Sequence, residues 1–377
     1  MTDRHSHTTR GKSGGKRRGA GRNAVLDRKP LYAALDLGTN SCRMLIAEPD
    51  GAHFNIVDAF SKSVLLGLDL ERTGSLSNAG INRTLQALHV CARKLRNLGV
   101  ENSRLIATEA CRRAKNGEQF MNRIRNETGL RLEVINSAEE ARLAIVSCSP
   151  LLEPAAEQVL IVDIGGGSTE LVWIDLSEVS PANKVKAMIN LRPGELNGSD
   201  ISGARIVDWI SVPLGVATLM QRYSDVHEDG AKFALMACHF EEELEAFSPY
   251  QNLIDSSVLS KLQIIGTSGT VTTLGAMHLG LRRYDRTKVD GLRMRAQDVN
   301  AVIDRFLVLG PEGRRREPGI GNDRADLIMS GSAILQTLLR IWPTEHVRVA
   351  DRGLREGMLF SMMNADGVLE NRFEDDG

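Results

Sequence analysis

No stretch of this 377-residue chain approaches the roughly 18 to 20 consecutive apolar residues that a membrane-spanning helix requires. Its N-terminus also carries no apolar segment of the kind found in secretory signals. A cytoplasmic protein without membrane contact is the expectation. Cysteine is sparse: Cys42, Cys91, Cys111, Cys148 and Cys238 are odd in number and widely separated, which points away from a disulfide framework or a zinc site. They read as small buried apolar side chains.

A large net charge is missing too, at −1, but the balance hides an asymmetry. Residues 1–29 carry nine Lys or Arg against two acids, leaving 38 against 46 in the remainder. Residues 2–22 are rich in Gly, Ser, Lys and Arg and nearly devoid of apolar side chains, so they cannot bury enough surface to fold. A disordered basic arm is expected over 1–29, either a solubilising tail or an electrostatic tether for a polyanion such as nucleic acid or polyphosphate. Its Arg-rich, acid-poor composition also suits an organelle transit peptide, but no amphipathic stripe supports that.

What remains is the composition of a globular protein, 42% hydrophobic and 25% charged, on a chain longer than one core usually holds. After Pro30, Leu31-Tyr32-Ala33-Ala34-Leu35-Asp36 is a buried-strand pattern ending in a carboxylate, followed by Gly38-Thr39-Asn40-Ser41 and the apolar run Met44-Leu45-Ile46-Ala47. Ile81, Leu85, Leu88, Ala92, Leu95 and Leu98 fall at helical spacing and stop at Gly99. Strands are predicted at 105–108 and 132–135, with helices at 118–127 and from Ser137. The second half repeats the opening punctuation: Val159–Asp163, then Gly165-Gly166-Gly167-Ser168-Thr169, then Glu170–Ile174. Beyond a polar stretch at 177–208, which reads as an insertion, helices are expected near 229–247, 268–278, 323–341 and 352–363, and strands at 262–265 and 347–350. Strands alternating with helices predict an α/β chain with a first lobe over 30–155, a second over 156–365 and a tail over 366–377. The last helix is free to pack back on the first lobe.

A strand that ends in Asp and turns through Gly and hydroxyl residues aims backbone N–H groups and small side chains at one point, which suits a phosphate oxygen. Taken alone, Asp36-Leu37-Gly38-Thr39-Asn40-Ser41 is equally a tight hairpin with conformational reasons of its own. Asp163-Ile164-Gly165-Gly166-Gly167-Ser168 carries three glycines, and close backbone approach to a ligand is one reason to keep them. A third loop, Gly266-Thr267-Ser268-Gly269-Thr270, stands between a strand and a helix, whose first amides would add to an anion site. Three such loops together predict a phosphate-binding cleft built from Gly38, Thr39, Asn40, Ser41, Gly165, Gly166, Gly167, Ser168, Thr267, Ser268, Gly269 and Thr270.

These turns, together with Thr108-Glu109-Ala110-Cys111-Arg112-Arg113-Ala114, Glu139-Glu140-Ala141-Arg142, Asp163 through Glu170 and Asp351-Arg352-Gly353-Leu354-Arg355-Glu356-Gly357, resemble the Ppx/GppA family of exopolyphosphatases and guanosine pentaphosphate phosphohydrolases. The resemblance covers nearly the whole chain after the basic arm. It implies a two-lobed actin-like fold, ribonuclease H-like in each half, with duplicated strand-Asp-Gly-strand units. It also implies a polyphosphate or guanosine pentaphosphate substrate between the lobes and a divalent metal, usually magnesium. By the same resemblance Glu140 is the general base, Arg112 a guanidinium that grips phosphoryl oxygens, Asp163 and Glu170 ligands to metal or water, and Asp36 a further metal ligand. Glu139, its neighbour on the helix, must point elsewhere.

The chain departs from the family pattern at Thr39, where Ser is usual, and at Ala138, where Gly is usual. The helical histidine-aspartate domain of the long members is not expected. The run Arg282, Arg283, Arg286, Lys288, Arg293 and Arg295 reads as a track for a long anion, and Arg314-Arg315-Arg316 as solvated charge. Two other functions share the loops: an actin-like kinase or ATPase, and a non-catalytic sensor of phosphate chains or alarmone nucleotide. The oligomeric state is left open, a homodimer included.

Overall fold

The computed structural model describes residues 29–51, 53–191, 203–252, 255–320 and 322–369. The basic arm lies outside them except for Lys29, as do the middle of the 177–208 stretch and most of the C-terminal tail.

Two sheets organise the chain. The first has the order β3-β2-β1-β4-β5, built from β1 (Tyr32–Leu37), β2 (Ser41–Asp50), β3 (His53–Ser63), β4 (Asn102–Ala107) and β5 (Glu133–Val134). β1, β2 and β3 form an antiparallel meander, and β4 and β5 add in parallel beside β1. The second sheet has the order β10-β11-β9-β6-β7-β8, from β6 (Gln158–Ile164), β7 (Thr169–Asp175), β8 (Arg205–Val212), β9 (Leu262–Thr267), β10 (Arg293–Arg295) and β11 (His346–Ala350). Here too an antiparallel meander comes first, and β9 and β11 add in parallel beside its first strand. β10 closes the edge antiparallel to β11. The repeated strand order makes this a two-lobed actin-like α/β fold.

Side chains alternate across each strand, so each sheet buries two faces. Leu35, Leu37, Met44 and Ile46 meet helices Asn78–Leu98 and Gly117–Thr128, whereas Tyr32, Ala34, Leu45 and Ala47 meet helix Leu354–Ala365. In the second sheet Leu160, Val162, Leu171 and Trp173 face helices Asp229–Glu242 and Ile328–Ile341. Val159, Ile161, Val172 and Ile174 face helix Ser137–Cys148. The two helices between the sheets are therefore exchanged. Helix Ser137–Cys148 follows β5 of the first sheet yet packs on the second, and helix Leu354–Ala365 follows β11 of the second yet packs on the first. They cross at Gly357, where an added Cβ would lie 2.4 Å from the Leu143 carbonyl oxygen. Only glycine permits that approach.

Several expectations need correction. β8 begins at Arg205 and belongs to the core sheet, so the polar stretch read as an insertion over 177–208 runs four residues too far. The helix expected over 323–341 is two, Asn322–Ala325 and Ile328–Ile341. Cys238 is exposed, unlike the other four cysteines. Arg314 is not solvated: Gly310, at φ 62°, breaks helix Ala296–Arg316 before Pro311. The turn that follows points Arg314 inward, 4% exposed, where it donates to the Asp229 carboxylate and the Phe306 carbonyl at 2.8 Å each. No helix among the described residues is long and apolar enough to cross a membrane.

Candidate active site

β1 and β6 end in equivalent turns. Asp36 stands in register with Arg43 across β1 and β2, and Asp163 with Glu170 across β6 and β7. Between the partners the chain closes the same way, with Gly38 N–H donating to the Ser41 carbonyl at 3.0 Å and Gly165 N–H to the Ser168 carbonyl at 2.9 Å. The turns face each other. A Cβ on Gly166 would lie 3.2 Å from both the Thr39 and Asn40 Cβ atoms, and one on Gly167 would lie 2.6 Å from Thr39 Oγ1. The Gly165 and Gly166 carbonyls accept from Val216 and Ala217 at 3.0 and 2.8 Å, which ties the second turn to helix Val216–Arg222.

The third loop leaves β9 through Ser268, whose φ of 100° is uncommon for a residue with a side chain. Helix Gly269–His278 starts there, and the Ser268 hydroxyl is buried without a partner. All three loops open on one solvent-connected cleft. Asp36, Gly38, Thr39, Asn40, Ser41, Glu140, Asp163, Gly165, Gly166, Gly167, Ser168, Glu170, Thr267, Ser268, Gly269 and Thr270 line it. Of the residues expected to act on substrate, phosphate or metal, Arg112 alone does not.

Glu140 lies in the first turn of helix Ser137–Cys148, which is capped by the Asn136 side chain accepting from Glu139 N–H at 2.9 Å. Glu139 turns away from the cleft to Arg104 and Arg142, at 2.6 Å from each. Glu140 is 6% exposed and points into the cleft. Arg112 sits behind it, donating to Glu140 Oε2 at 3.2 Å, to the Ile135 carbonyl at 2.9 Å, and to Glu109. In this arrangement its guanidinium holds carboxylates and faces away from the cleft space.

Four carboxyls of the cleft, Glu140 and Glu170 buried and Asp36 and Asp163 half-buried, are each harder to ionise than in water. Glu140 is raised well above its ordinary value by burial and then by Glu170, with Arg112 opposing. Glu170 is pushed up to about 8 by burial and Asp163, although Ser168 and Ser211 donate to it. Burial and Asp36 bring Asp163 up to about 6. Asp36 is raised by burial, with Arg43 and Arg355 opposing, and its Oδ1 has no partner. Such a set is relieved by a cation. Among the described residues no three His, Cys, Asp or Glu side chains converge as a metal cage. Magnesium does not need one, since it keeps several waters and takes one or two carboxylates beside substrate phosphates. Asp163 and Glu170, opposite each other on adjacent strands, and the unpartnered Asp36 oxygen fit that demand.

Sequence reasoning missed Arg43, Arg324 and Arg355, which also line the cleft. Burial, Arg355 and Arg324 together lower the Arg43 pKa, so the three guanidinium groups feel one another. Arg324 donates to Thr273 Oγ1 at 3.0 Å. For Arg43 a signal existed. Asp36 to Arg43 and Asp163 to Glu170 share the spacing Asp-x-Gly-x-x-Ser-x-charged, and Arg43 holds the place of Glu170. The expected basic track, by contrast, is mostly neutralised. Arg286 pairs with Glu356 and Asp351, Lys288 with Asp285, Arg293 with Glu153 and Arg295 with Asp298, which leaves Arg282 and Arg283.

Comparison with known proteins places these features in context. The family model described as the Ppx/GppA phosphatase family matches residues 45–366. The guanosine-5'-triphosphate,3'-diphosphate pyrophosphatase of Aeromonas salmonicida (strain A449) is 26% identical over 334 residues, which cover 89% of this chain but 60% of that protein. The crystal structure of the Aquifex aeolicus member of the Ppx/GppA family is 27% identical, with a TM-score of 0.67 over 89% of this chain and 98% of its own. An exopolyphosphatase from Cytophaga hutchinsonii, 22% identical, shares the fold with a TM-score of 0.73 over 89% of this chain and 98% of its own.

Proposed function

Because the chain belongs to the Ppx/GppA phosphatase family, we propose that it releases the terminal phosphate of guanosine pentaphosphate, of inorganic polyphosphate, or of both, with Glu140 as general base. The observation that carries this reading is Glu140 itself, a buried carboxyl aimed into a cleft lined by two glycine turns and backed by Arg112. A carboxyl with a raised pKa is a better base near neutral pH than an ordinary one, and Arg112 favours its ionised form.

In this mechanism a water in the cleft gives its proton to Glu140 as its oxygen bonds to the terminal phosphorus. The phosphoanhydride bond to the rest of the chain breaks in line, and orthophosphate and a chain one phosphate shorter leave. Arg43, Arg324 and Arg355 supply positive charge for the phosphoryl oxygens, and the turn amides add fixed dipoles. Magnesium, when bound at Asp163 and Glu170 with Asp36 beside them, would neutralise phosphate charge. The basic arm at 1–29 is proposed as an added contact for such polyanions.

Phosphate release with magnesium, from long polyphosphate and from guanosine pentaphosphate side by side, tests the proposal, with ATP as control and Glu140→Gln as background. Release from either substrate well above that background supports it. No release from either, or faster release from ATP, overturns it.

A further inference from the structure

The second sheet carries a groove at the end away from the cleft. β9 and β11 begin in it, at Leu262 and His346, and run from there to the cleft, where β9 ends at Thr267. The linker between the lobes forms its other side with Glu153, Ala155 and Ala156. None of the residues lining the groove lines the cleft.

Arg293 on β10 and Arg348 on β11 stand directly opposite each other in the antiparallel register, so both side chains leave the same face of the sheet. Like charges so placed disfavour the pairing unless a counter-charge joins them. Glu153 is the carboxylate at hand, and it serves both poorly. Its Oε1 alone lies 3.2 Å from Arg293 Nε and 3.6 Å from Arg348 Nη1. Arg348 Nε is buried without a partner. The other charged groups on the groove do not relieve the pair. Lys261 is taken by Glu157 at 2.7 Å, His346 holds its Nδ1 3.4 Å from Arg293 Nη2, and the Glu345 side chain is exposed beside His346.

One carboxylate oxygen leaves most donors of two guanidinium groups without an acceptor. A phosphate group presents oxygens in tetrahedral directions, so it can lie across both guanidinium groups and accept from each. We propose that Arg293 and Arg348 form an anion site for a phosphate group, separate from the cleft, in which Glu153 holds the place of the ligand until it binds. Free orthophosphate and the phosphate ester of a small molecule share this chemistry, and Leu259, Leu262 and Pro343 line the groove where the rest of an ester would lie.

Calorimetric titration with orthophosphate, without magnesium, compares wild type, Arg348→Gln and Glu153→Gln. Loss of the Arg348 charge should weaken binding in the groove about 10- to 100-fold. Removing the competing Glu153 carboxylate should strengthen it, and a carboxylate that serves only as scaffold would not give that sign. Identical titrations in all three proteins, the absence of binding included, would overturn the site, and so would weakening in both variants, which marks damage to the fold. Glycerol 3-phosphate in place of orthophosphate separates the sources. Tighter binding that Arg348→Gln abolishes assigns the groove to an ester, and weaker binding assigns it to free phosphate.

Discussion

Arg43 and Glu170 hold the same position in the two halves of the molecule, each directly across a strand pair from an aspartate, Asp36 in one case and Asp163 in the other. Duplication has thus produced a cleft with one cationic and one anionic wall. The first, reinforced by Arg324 and Arg355, suits phosphoryl oxygens. The second suits a hydrated metal ion.

Arg43 is poorly placed for stability, because burial and its arginine neighbours disfavour its charge. Arg43→Gln is expected to leave the substrate-free melting temperature unchanged or higher. It should raise KM for the phosphate chain about 10- to 100-fold, as expected for losing a hydrogen bond to a charged group. A lower melting temperature with unchanged KM would assign Arg43 to the scaffold.

Glu140→Gln keeps shape and most packing, so the melting temperature should hold while kcat falls about 10²- to 10⁴-fold. Arg112 opposes the upward shift of Glu140. Arg112→Gln should therefore raise that pKa further and move the acid limb of the kcat profile to higher pH. An acid limb that stays in place, with only KM altered, would instead make Arg112 a phosphate contact.

Ser268 holds φ at 100°, where glycine is at ease and serine is not. Relief of such strain contributes about 1–3 kcal/mol, so Ser268→Gly should raise the urea midpoint. If the unpartnered hydroxyl receives a phosphate oxygen, kcat/KM falls in the same variant. A midpoint that drops would show that the serine side chain supports the loop.

The acidic wall makes stability depend on pH with a definite sign. Asp163 and Glu170 have folded-state values raised to about 6 and about 8, so the metal-free native protein retains protons that the unfolded chain has already released. Their contribution is fully present below the unfolded-state values and is lost as pH rises through the folded ones. Calorimetric melting without metal should therefore decline from about pH 4 to about pH 8. Magnesium competes with those protons and should restore more stability at the alkaline end. A magnesium effect independent of pH would move the ion away from these carboxylates.

What the sequence disclosed follows from the range of each constraint. The strand-Asp-Gly turns were legible because backbone geometry demands their residues within a few positions, and the third loop because Ser268-Gly269-Thr270 opens a helix directly after an apolar strand. β3 was missed because its edge position leaves it mostly exposed, without the apolar alternation that marks a strand. β10 is three residues, Arg-Met-Arg, with only the methionine buried. Arg324 and Arg355 reach the cleft through tertiary packing that no local spacing records. The same cause undid the basic track: Arg286 and Arg293 are neutralised by Glu356 and Glu153, far away in sequence.

The exchange of helices at the Gly357 crossing bears on how the chain can be divided. A cut in the loop between Leu152 and Glu157 would separate the two sheets, but neither product would be self-sufficient. The N-terminal fragment would keep helix Ser137–Cys148 with its apolar face against nothing, and would leave Tyr32, Ala34, Leu45 and Ala47 bare. The C-terminal fragment would have the reciprocal defect. Each fragment carries the cover that the other lacks, so the two halves are expected to fold only on mixing, and severing the linker should spare the fold where removing either piece destroys both.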